Sequence, residues 1–323
     1  MNRLFLFFLS ALFILSMSLT PSSPKYSEYK PGTLLVSIDN GQNWQNISAN
    51  LPDDIKVSSI CPFNSAFYLG TNKGLFKSNY IFPKAHWYDE KGFDKEILKL
   101  YPHENKLLFT TLWYGLNEFA PNISNFSKIS SDSHIGIVNS VIKVTESLLY
   151  FCSEYGLYKS TDSGNHWTKV YNKGIIRDMI KIENKIIIGG KFGIMSSDLS
   201  ANQWEQSLIP DCIITKLIQT QNELYAIGVY ENQFMHIPNS VYQSLDHGKS
   251  WKKLDLPSKV PSIHQIIKSK DYYFISCDEG VFRSKTLNGE WIQVQAKPVS
   301  NYGFHKLYYH ENYLFCIYSE PNC

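Results

Sequence analysis

An eight-residue pattern contains the residues whose types and spacing could do chemistry. Ser160, Asp162, Gly164 and Trp167 occupy positions 1, 3, 5 and 8 of STDSGNHW. Such a set could belong to a catalytic motif, a binding loop or a turn. Serine and aspartate side chains bond to the backbone of their own turn, glycine permits positive φ, and a tryptophan ring covers a hairpin. We therefore interpret the pattern as a turn.

Three carboxylates form a second candidate set. Glu96, Glu154 and Asp178 are expected near one end of the predicted strands. A pair of carboxylates about 5–10 Å apart can act as acid and base, or as acid and nucleophile, in glycoside hydrolysis. The sequence does not give the separation, so a hydrolase remains an alternative function.

The pattern recurs along the chain, which indicates a repeat architecture. SIDNGQNW and SLDHGKSW are complete copies at 37–44 and 244–251, and SSDLSANQW and SKTLNGEW are weakened copies at 196–204 and 284–291. Upstream of the pattern, a short apolar segment occurs seven times: GTLLVS 32–37, GLFKS 74–78, GLNEF 115–119, GLYKS 156–160, GIMSS 193–197, SVYQS 240–244 and GVFRS 280–284.

Each unit predicts four strands, A to D, with the pattern at the C–D hairpin. The last A and B strands (305–318) lack C and D, and the first C and D strands lack A and B. The expected fold is therefore all-β, a seven-bladed β-propeller of four-stranded antiparallel blades whose ring is closed by N- and C-terminal strands sharing one blade. Six tryptophans fall at the start of strand D, and Phe126 fills that position in the remaining unit.

The complete copies resemble the Asp-box, or bacterial neuraminidase repeat (BNR), family. The residues that carry the resemblance are Asp39, Gly41, Trp44, Asp162, Gly164, Trp167, Asp246, Gly248 and Trp251. The family includes sialidases, xyloglucan-active hydrolases, the sortilin ectodomain and the photosystem II assembly factor, so the resemblance implies the fold and a structural role for these residues. Sialidases of this kind use three arginines, whereas removal of the signal peptide, which contains Arg3, would leave this chain only Arg177 and Arg283, and Arg283 is expected on the box side. Sialidase activity is therefore not supported.

Binding residues are expected on the B–C and D–A loops, away from the boxes. The aromatic candidates on the B–C loops are Trp113, Tyr114, Tyr155 and Phe192, and a long loop at 229–240 adds Phe234 and His236. Arg177, His264 and His305 begin A strands at the expected channel mouth, in a polar column that also contains Ser58, Glu96 and Lys306. Lys99, Lys143, Lys181 and Lys268 are expected to form a basic ring at the opposite end.

Composition and the N-terminus limit the function classes. The net charge of +2 and the scarcity of arginine argue against nucleic-acid binding. Residues 1–18 are typical of a signal peptide, with an end between 18 and 25, and 26–323 form the single propeller. No motif predicts a metal or a cofactor, and the pairing of the six cysteines is open.

We therefore expect a secreted, periplasmic or cell-surface monomer without a stable membrane span after cleavage. Its predicted role is non-catalytic: it binds a protein partner or a polysaccharide through the B–C/D–A loop face. The alternative is a glycoside hydrolase using Glu96, Glu154 and Asp178.

Overall fold

The computed structural model describes residues 32–112, 115–129, 136–208, 210–220, 223–230, 240–258, 260, 262–296 and 304–319. These residues contain strands and no helix. In chain order the first fourteen strands are β1 (Leu34–Ser37), β2 (Gln45–Asn46), β3 (Val57–Phe63), β4 (Ala66–Thr71), β5 (Gly74–Ser78), β6 (Tyr88–Glu90), β7 (Ile97–His103), β8 (Lys106–Thr111), β9 (Gly115–Ala120), β10 (Asn125–Lys128), β11 (Val138–Lys143), β12 (Leu149–Ser153), β13 (Gly156–Ser160) and β14 (Thr168–Tyr171). The remaining strands are β15 (Ile176–Ile182), β16 (Lys185–Gly190), β17 (Gly193–Asp198), β18 (Glu205–Leu208), β19 (Ile213–Gln219), β20 (Leu224–Val229), β21 (Ser240–Ser244), β22 (Lys252–Leu254), β23 (Gln265–Lys268), β24 (Tyr273–Cys277), β25 (Gly280–Ser284), β26 (Ile292–Ala296), β27 (Phe304–His310) and β28 (Tyr313–Ser319).

The strands form seven antiparallel sheets of four strands each. Blade 1 is β3–β6, and blades 2 to 6 follow in sequence order as β7–β10, β11–β14, β15–β18, β19–β22 and β23–β26. Blade 7 has the order β2–β1–β28–β27. The chain is therefore a seven-bladed β-propeller, which confirms the fold predicted from the repeats.

The two ends of the chain close the ring in blade 7. Strand β1 pairs antiparallel with β28, with Leu34 opposite Ile317 and Ser37 opposite Leu314. The strand contributed by the N-terminal part of the chain is buried along its whole length. Blade 7, completed in this way, packs against blade 6 on one face and blade 1 on the other.

A close approach between strands explains the glycine that begins most C strands. Gly156 has φ +130°, and a Cβ atom there would lie 2.2 Å from the carbonyl oxygen of Tyr171 at the end of strand D. Gly74 has φ +101°, and its Cβ would lie 2.0 Å from the carbonyl oxygen of Phe93. Only glycine tolerates both the positive φ and the contact, so the repeated GL dipeptide is a packing requirement.

The core lies between successive blades. Strand β12 is buried at every position, and so is β24. Between blades 7 and 1, buried Leu34, Leu69, Phe76, Trp87 and Phe315 form one apolar cluster. The five described cysteines (Cys61, Cys152, Cys212, Cys277 and Cys316) are buried free thiols within this packing.

Candidate functional site on the loop face

The complete boxes are hydrogen-bonded hairpins. In each, the first serine Oγ donates to the aspartate Oδ1 at 2.8 Å and accepts the glycine N–H at 2.8 Å. The aspartate Oδ1 also accepts the N–H of residue 7 of the box at 2.9 Å. These bonds hold the pKa of Asp162 at about 2, because His166 and Ser160 donate to the ionised carboxylate. The box side chains thus bond to their own turns.

The six tryptophans at the start of strand D join some hairpins to a neighbouring blade. The indole N–H of Trp44 donates to Val294 O at 2.8 Å, and that of Trp87 donates to Ile47 O at 2.7 Å. Both acceptors belong to the preceding blade. Phe126 takes the equivalent place in blade 2, stacked on Phe119 with 4.4 Å between ring centroids.

The boxes and the A–B turns lie at one end of the strands, and the B–C and D–A loops lie at the other, which we call the loop face. Tyr155, Phe192 and Glu154 lie on B–C loops of this face. Trp113 and Tyr114, and Phe234 and His236 on the long loop, lie outside the described residues. A candidate site can therefore be built from the described loops of blades 3 to 5.

A cavity of about 370 Å³ opens on the loop face between blades 4 and 5. We call it the Phe192 pocket; its lining is Lys173, Gly174, Ile175, Arg177, Lys191, Phe192 and Ile213. Sequence reasoning chose Arg177 and Phe192 separately, and the fold brings them together. It missed Lys173, Ile175 and Ile213, because a D–A loop lysine and the first residue of the next blade carry no distinctive sequence signal.

A β-bulge directs Arg177 into this pocket. The register of β15 with β16 shifts between Ile176 and Asp178, so Arg177 is the extra residue and is exposed. Bulges re-aim a side chain that regular alternation would send to the other face. The side chain of Arg177 therefore lies at the pocket, and that of Asp178 lies at the channel.

Packing fixes the ring of Phe192. Its centroid lies 5.1 Å from that of Tyr171, and Gln206 Nε2 donates to its carbonyl oxygen at 2.7 Å. A Cβ on Gly190 would lie 2.8 Å from a ring carbon of Phe192 and 2.2 Å from the carbonyl oxygen of Ile175. The aromatic wall of the pocket is therefore held by close contact with strand β16.

Exposed apolar side chains extend the pocket into an arc over blades 3 to 5. Ile137, Tyr155, Ile175 and Val229 are exposed by 39%, 52%, 38% and 36%. The other large apolar residues that are exposed in the described part of the chain lie on C–D connections and outer strands. Three further cavities, of about 440, 450 and 250 Å³, lie on the box face and are lined by both acidic and basic residues of the hairpins. The apolar arc, with Lys173, Arg177 and Lys191 beside it, distinguishes the described loop face from the box face.

The residues that line the channel mouth differ from the polar column expected from the sequence. Bulges in blades 1 to 5 shift the pairing at the start of each A strand. The register then aligns one channel residue from each blade: Ser59, Lys99, Ser140, Asp178, Lys216, Gln265 and Lys306. We call this set the mouth layer.

The mouth layer corrects two expectations. Ser58 is the bulge residue of blade 1, and Glu96 precedes β7 rather than standing beside Asp178. Lys99 belongs to the mouth, not to a ring with Lys143, Lys181 and Lys268. Of those, Lys143 Nζ is 2.9 Å from Glu146 Oε2 and Lys268 Nζ is 3.5 Å from Glu223 Oε2, so no bare basic ring forms there.

Side chains at the mouth join neighbouring A strands. Lys99 Nζ donates to Asn139 O at 2.6 Å, Lys306 Nζ donates to Ser58 O at 3.1 Å, and Gln265 exchanges two bonds of 2.7 and 2.9 Å with the Leu307 backbone. Asp178 is buried, and its carboxylate accepts the N–H of Met179 at 3.0 Å and that of Leu217 at 3.1 Å. This carboxylate therefore ties blade 4 to blade 5, whereas Glu154 is exposed on a loop.

A pair of histidines lies beside the mouth in blades 6 and 7. His264 Nε2 is 2.7 Å from Asp278 Oδ1, and His305 is only 1% exposed. Burial, with a smaller contribution from His264, lowers the pKa of His305 to about 4. At neutral pH this imidazole is neutral and packs near the Tyr318 ring.

One group of metal-type ligands occurs among the described residues, on the box face. Donor atoms of His103, Glu104 and Glu146 lie within 4.8 Å of one another. Glu146 already accepts from Lys143, whose side chain is 4% exposed. The cluster thus contains its own buried cation.

Solved structures of other proteins share the fold of this chain. No protein-family model and no curated protein sequence matches the chain. The solved structure "YCF48 bound to D1 peptide" is similar with TM-score 0.59 and 12% identity, over 92% of this chain and 99% of that one. The extracellular domain of a putative one-component system from B. thetaiotaomicron gives TM-score 0.62 and 13% identity, over 84% of this chain but only 40% of that one.

An ancestral GH74 enzyme is similar with TM-score 0.56 and 11% identity, over 77% of this chain and 43% of that one. At these identities the likeness shows the propeller fold alone. Among the described residues, no helix is long and apolar enough to cross a membrane.

Proposed function

We propose that this chain is an exported, non-catalytic binding propeller of the Asp-box kind. Its loop face takes a protein segment that presents a carboxylate beside an apolar side chain. The observation that carries the proposal is the Phe192 pocket, where exposed Arg177 stands against an apolar wall at the end of the apolar arc.

The chemistry of the pocket fits such a segment. The planar guanidinium of Arg177 offers paired donors to a carboxylate, a geometry that lysine lacks. Lys173 and Lys191 add positive charge on the same rim, which steers an acidic segment toward it. Phe192, Ile175 and Ile213 accept the neighbouring apolar side chain, and the arc continues the contact across blades 3 and 4.

Two similarities support the proposal. A propeller of nearly the same length has a structure with a bound peptide. Another similar propeller lies in an extracellular domain, which agrees with the apolar N-terminal segment interpreted as a signal peptide. The box hairpins, with the same bonds in three blades, support membership of the Asp-box family.

A glycan is the competing ligand, because Tyr155 and Phe192 could stack on sugar rings. The hydrolase alternative requires two carboxylates available to substrate. Asp178 argues against it, since both its oxygens accept backbone N–H groups.

The test compares peptide display and a glycan array on the purified chain without its N-terminal segment. We expect enrichment of peptides that combine Asp, Glu or a free C-terminus with an apolar residue. Synthetic versions should bind Arg177→Gln at least tenfold more weakly, because the guanidinium–carboxylate pair is lost.

The matched control is Lys185→Gln, which removes a cation from the box face of the same blade and should leave affinity unchanged. Equal binding of the peptides to wild type and Arg177→Gln would overturn the pocket assignment. Glycan binding without peptide enrichment would replace the protein partner with a polysaccharide, and product release from that polymer would revive the hydrolase.

A further inference from the structure

The channel mouth forms a cup with a charged rim. Two residues beyond each mouth-layer residue, the alternation of the strand brings another side chain to the channel. This second layer contains Tyr101, Tyr308 and Cys61, and the other four blades each contribute an isoleucine. The mouth layer therefore rests on a mostly apolar floor about 6–7 Å below it.

Two tyrosines form part of this floor. Burial raises the pKa of Tyr101 to about 12 and also raises that of Tyr308. The opposite faces of the same strands are core, with Met179, Leu217 and Leu307 buried. A ligand entering from the loop face would thus meet the mouth layer first.

The rim carries more positive than negative charge. Lys99, Lys216 and Lys306 come from blades 2, 5 and 7, and Asp178 is the one carboxylate of the layer. Burial lowers the pKa of Lys306 to about 8, with further lowering by Lys216 and Lys99, against Glu96. Burial and Lys99 likewise lower the pKa of Lys216. Burial opposes the charge of Lys99, but the Tyr101 and Asp178 side chains raise its pKa above the ordinary value, so the repulsion between lysines falls mainly on Lys216 and Lys306.

Lys216 differs from the other two lysines of the layer. Lys99 and Lys306 each donate to a backbone carbonyl of the next blade. Asp178 accepts a backbone N–H of the next blade, and Gln265 both donates to and accepts from the backbone there. Lys216 makes no hydrogen bond or ion pair with any described residue, although it is half-buried. Lys99 is exposed, so water reaches this level of the channel.

We propose that the channel mouth binds one compact inorganic anion of the phosphate class, held between Lys99, Lys216 and Lys306. An anion there would give Lys216 an acceptor and offset the repulsion among the three ammonium groups. Lysine is a point charge without the planar fork of arginine, so it suits a compact anion better than it selects a planar carboxylate. The site is separate from the Phe192 pocket.

The experiment titrates the chain with inorganic phosphate at constant ionic strength, by calorimetry and by thermal unfolding. Binding should saturate at one phosphate per chain, and the melting temperature should rise as mass action requires. Lys216→Met should weaken the phosphate affinity at least tenfold. Lys216→Arg should retain most of it, because the charge remains.

Lys181→Met is the matched control, since it removes a lysine from the far end of a channel-lining strand and should bind phosphate like the wild type. Without phosphate, Lys216→Met should unfold at the wild-type temperature or higher, because one repelled ammonium group has gone. Equal phosphate affinity in Lys216→Met and wild type, or no saturable binding by wild type, would overturn the proposal. A lower melting temperature of Lys216→Met without phosphate would also overturn it, since Lys216 would then stabilise the blades by itself.

Discussion

The first serine of the box has a different environment in complete and degenerate copies. In blade 5, Ser244 Oγ bonds to both the Asp246 carboxylate and the Gly248 N–H. In blade 4, Leu199 and Ala201 stand where the complete boxes have aspartate and glycine, and buried Ser197 Oγ has no partner among the described residues. Ala201 still takes the turn conformation, with φ +59°.

The two serines therefore predict different costs for the same substitution. Ser244→Ala should lower the free energy of unfolding by about 1–3 kcal/mol, because a buried N–H and a carboxylate lose a partner. Ser197→Ala removes a hydroxyl that bonds to nothing described, and it should change stability by less than about 0.5 kcal/mol. Urea unfolding of both variants measures the difference, and equal losses would show that the box bonds do not stabilise the hairpin.

At the scale of the element, the period of the repeat predicted each strand but not its exact pairing. All seven short apolar segments became C strands, since each holds a buried Leu, Ile or Val near its start, directly preceded by glycine in five of them, and both are packing requirements that leave a sequence signal. The A strands were aligned incorrectly in blades 1 and 2. A bulge adds one residue without changing the residue types, so alternation alone could not distinguish Glu96 from Lys99 as the channel residue.

The closing strand β1 is the element on which the ring depends most. Leu34 is 0% exposed and pairs with Ile317 from the other end of the chain. Leu34→Ala should lower the free energy of unfolding by about 2–5 kcal/mol through the cavity it leaves. Contacts between distant parts of a sequence tend to form late, so the loss should appear mainly as faster unfolding.

Leu75→Ala provides the comparison, because Leu75 holds the same position in the C strand of blade 1 and is also 0% exposed. Its partners are local in sequence, so it should also slow refolding. Stopped-flow unfolding and refolding rates separate the two. If Leu34→Ala slowed refolding as much as Leu75→Ala, the ring would close early in folding.

At the scale of the whole molecule, repeats predicted the fold while the candidate sites depend on contacts between blades. Arg177 and Phe192 are 15 residues apart and Ile213 begins another blade, yet one pocket unites them. The mouth layer likewise takes one residue from every blade. Such assemblies require the register of all seven sheets, which single segments do not supply.

The pH dependence of stability also belongs to the whole chain, and His305 sets one part of it. Burial, and to a lesser extent His264, lowers its pKa from 6.5 to about 4. Between those values the unfolded chain holds a proton at this residue and the folded chain does not. Stability is therefore lost as the pH falls from 6.5 toward 4, by about 3 kcal/mol for this group. Asp162 and Asp246, whose hydrogen bonds hold their pKa values at about 2, contribute mainly below pH 4.

Replacing His305 with leucine should remove that part of the slope. We expect the free energy of unfolding of wild type to fall about 3 kcal/mol more than that of His305→Leu between pH 7 and pH 4, as measured by urea unfolding at each pH. The carboxylates are common to both proteins, so the difference isolates the buried imidazole and its neighbours His264 and Asp278. His310→Leu, at the exposed far end of the same strand, should keep the wild-type slope. Parallel curves for wild type and His305→Leu would mean that His305 accepts its proton in the folded chain, and that the loop face between blades 6 and 7 is open to water.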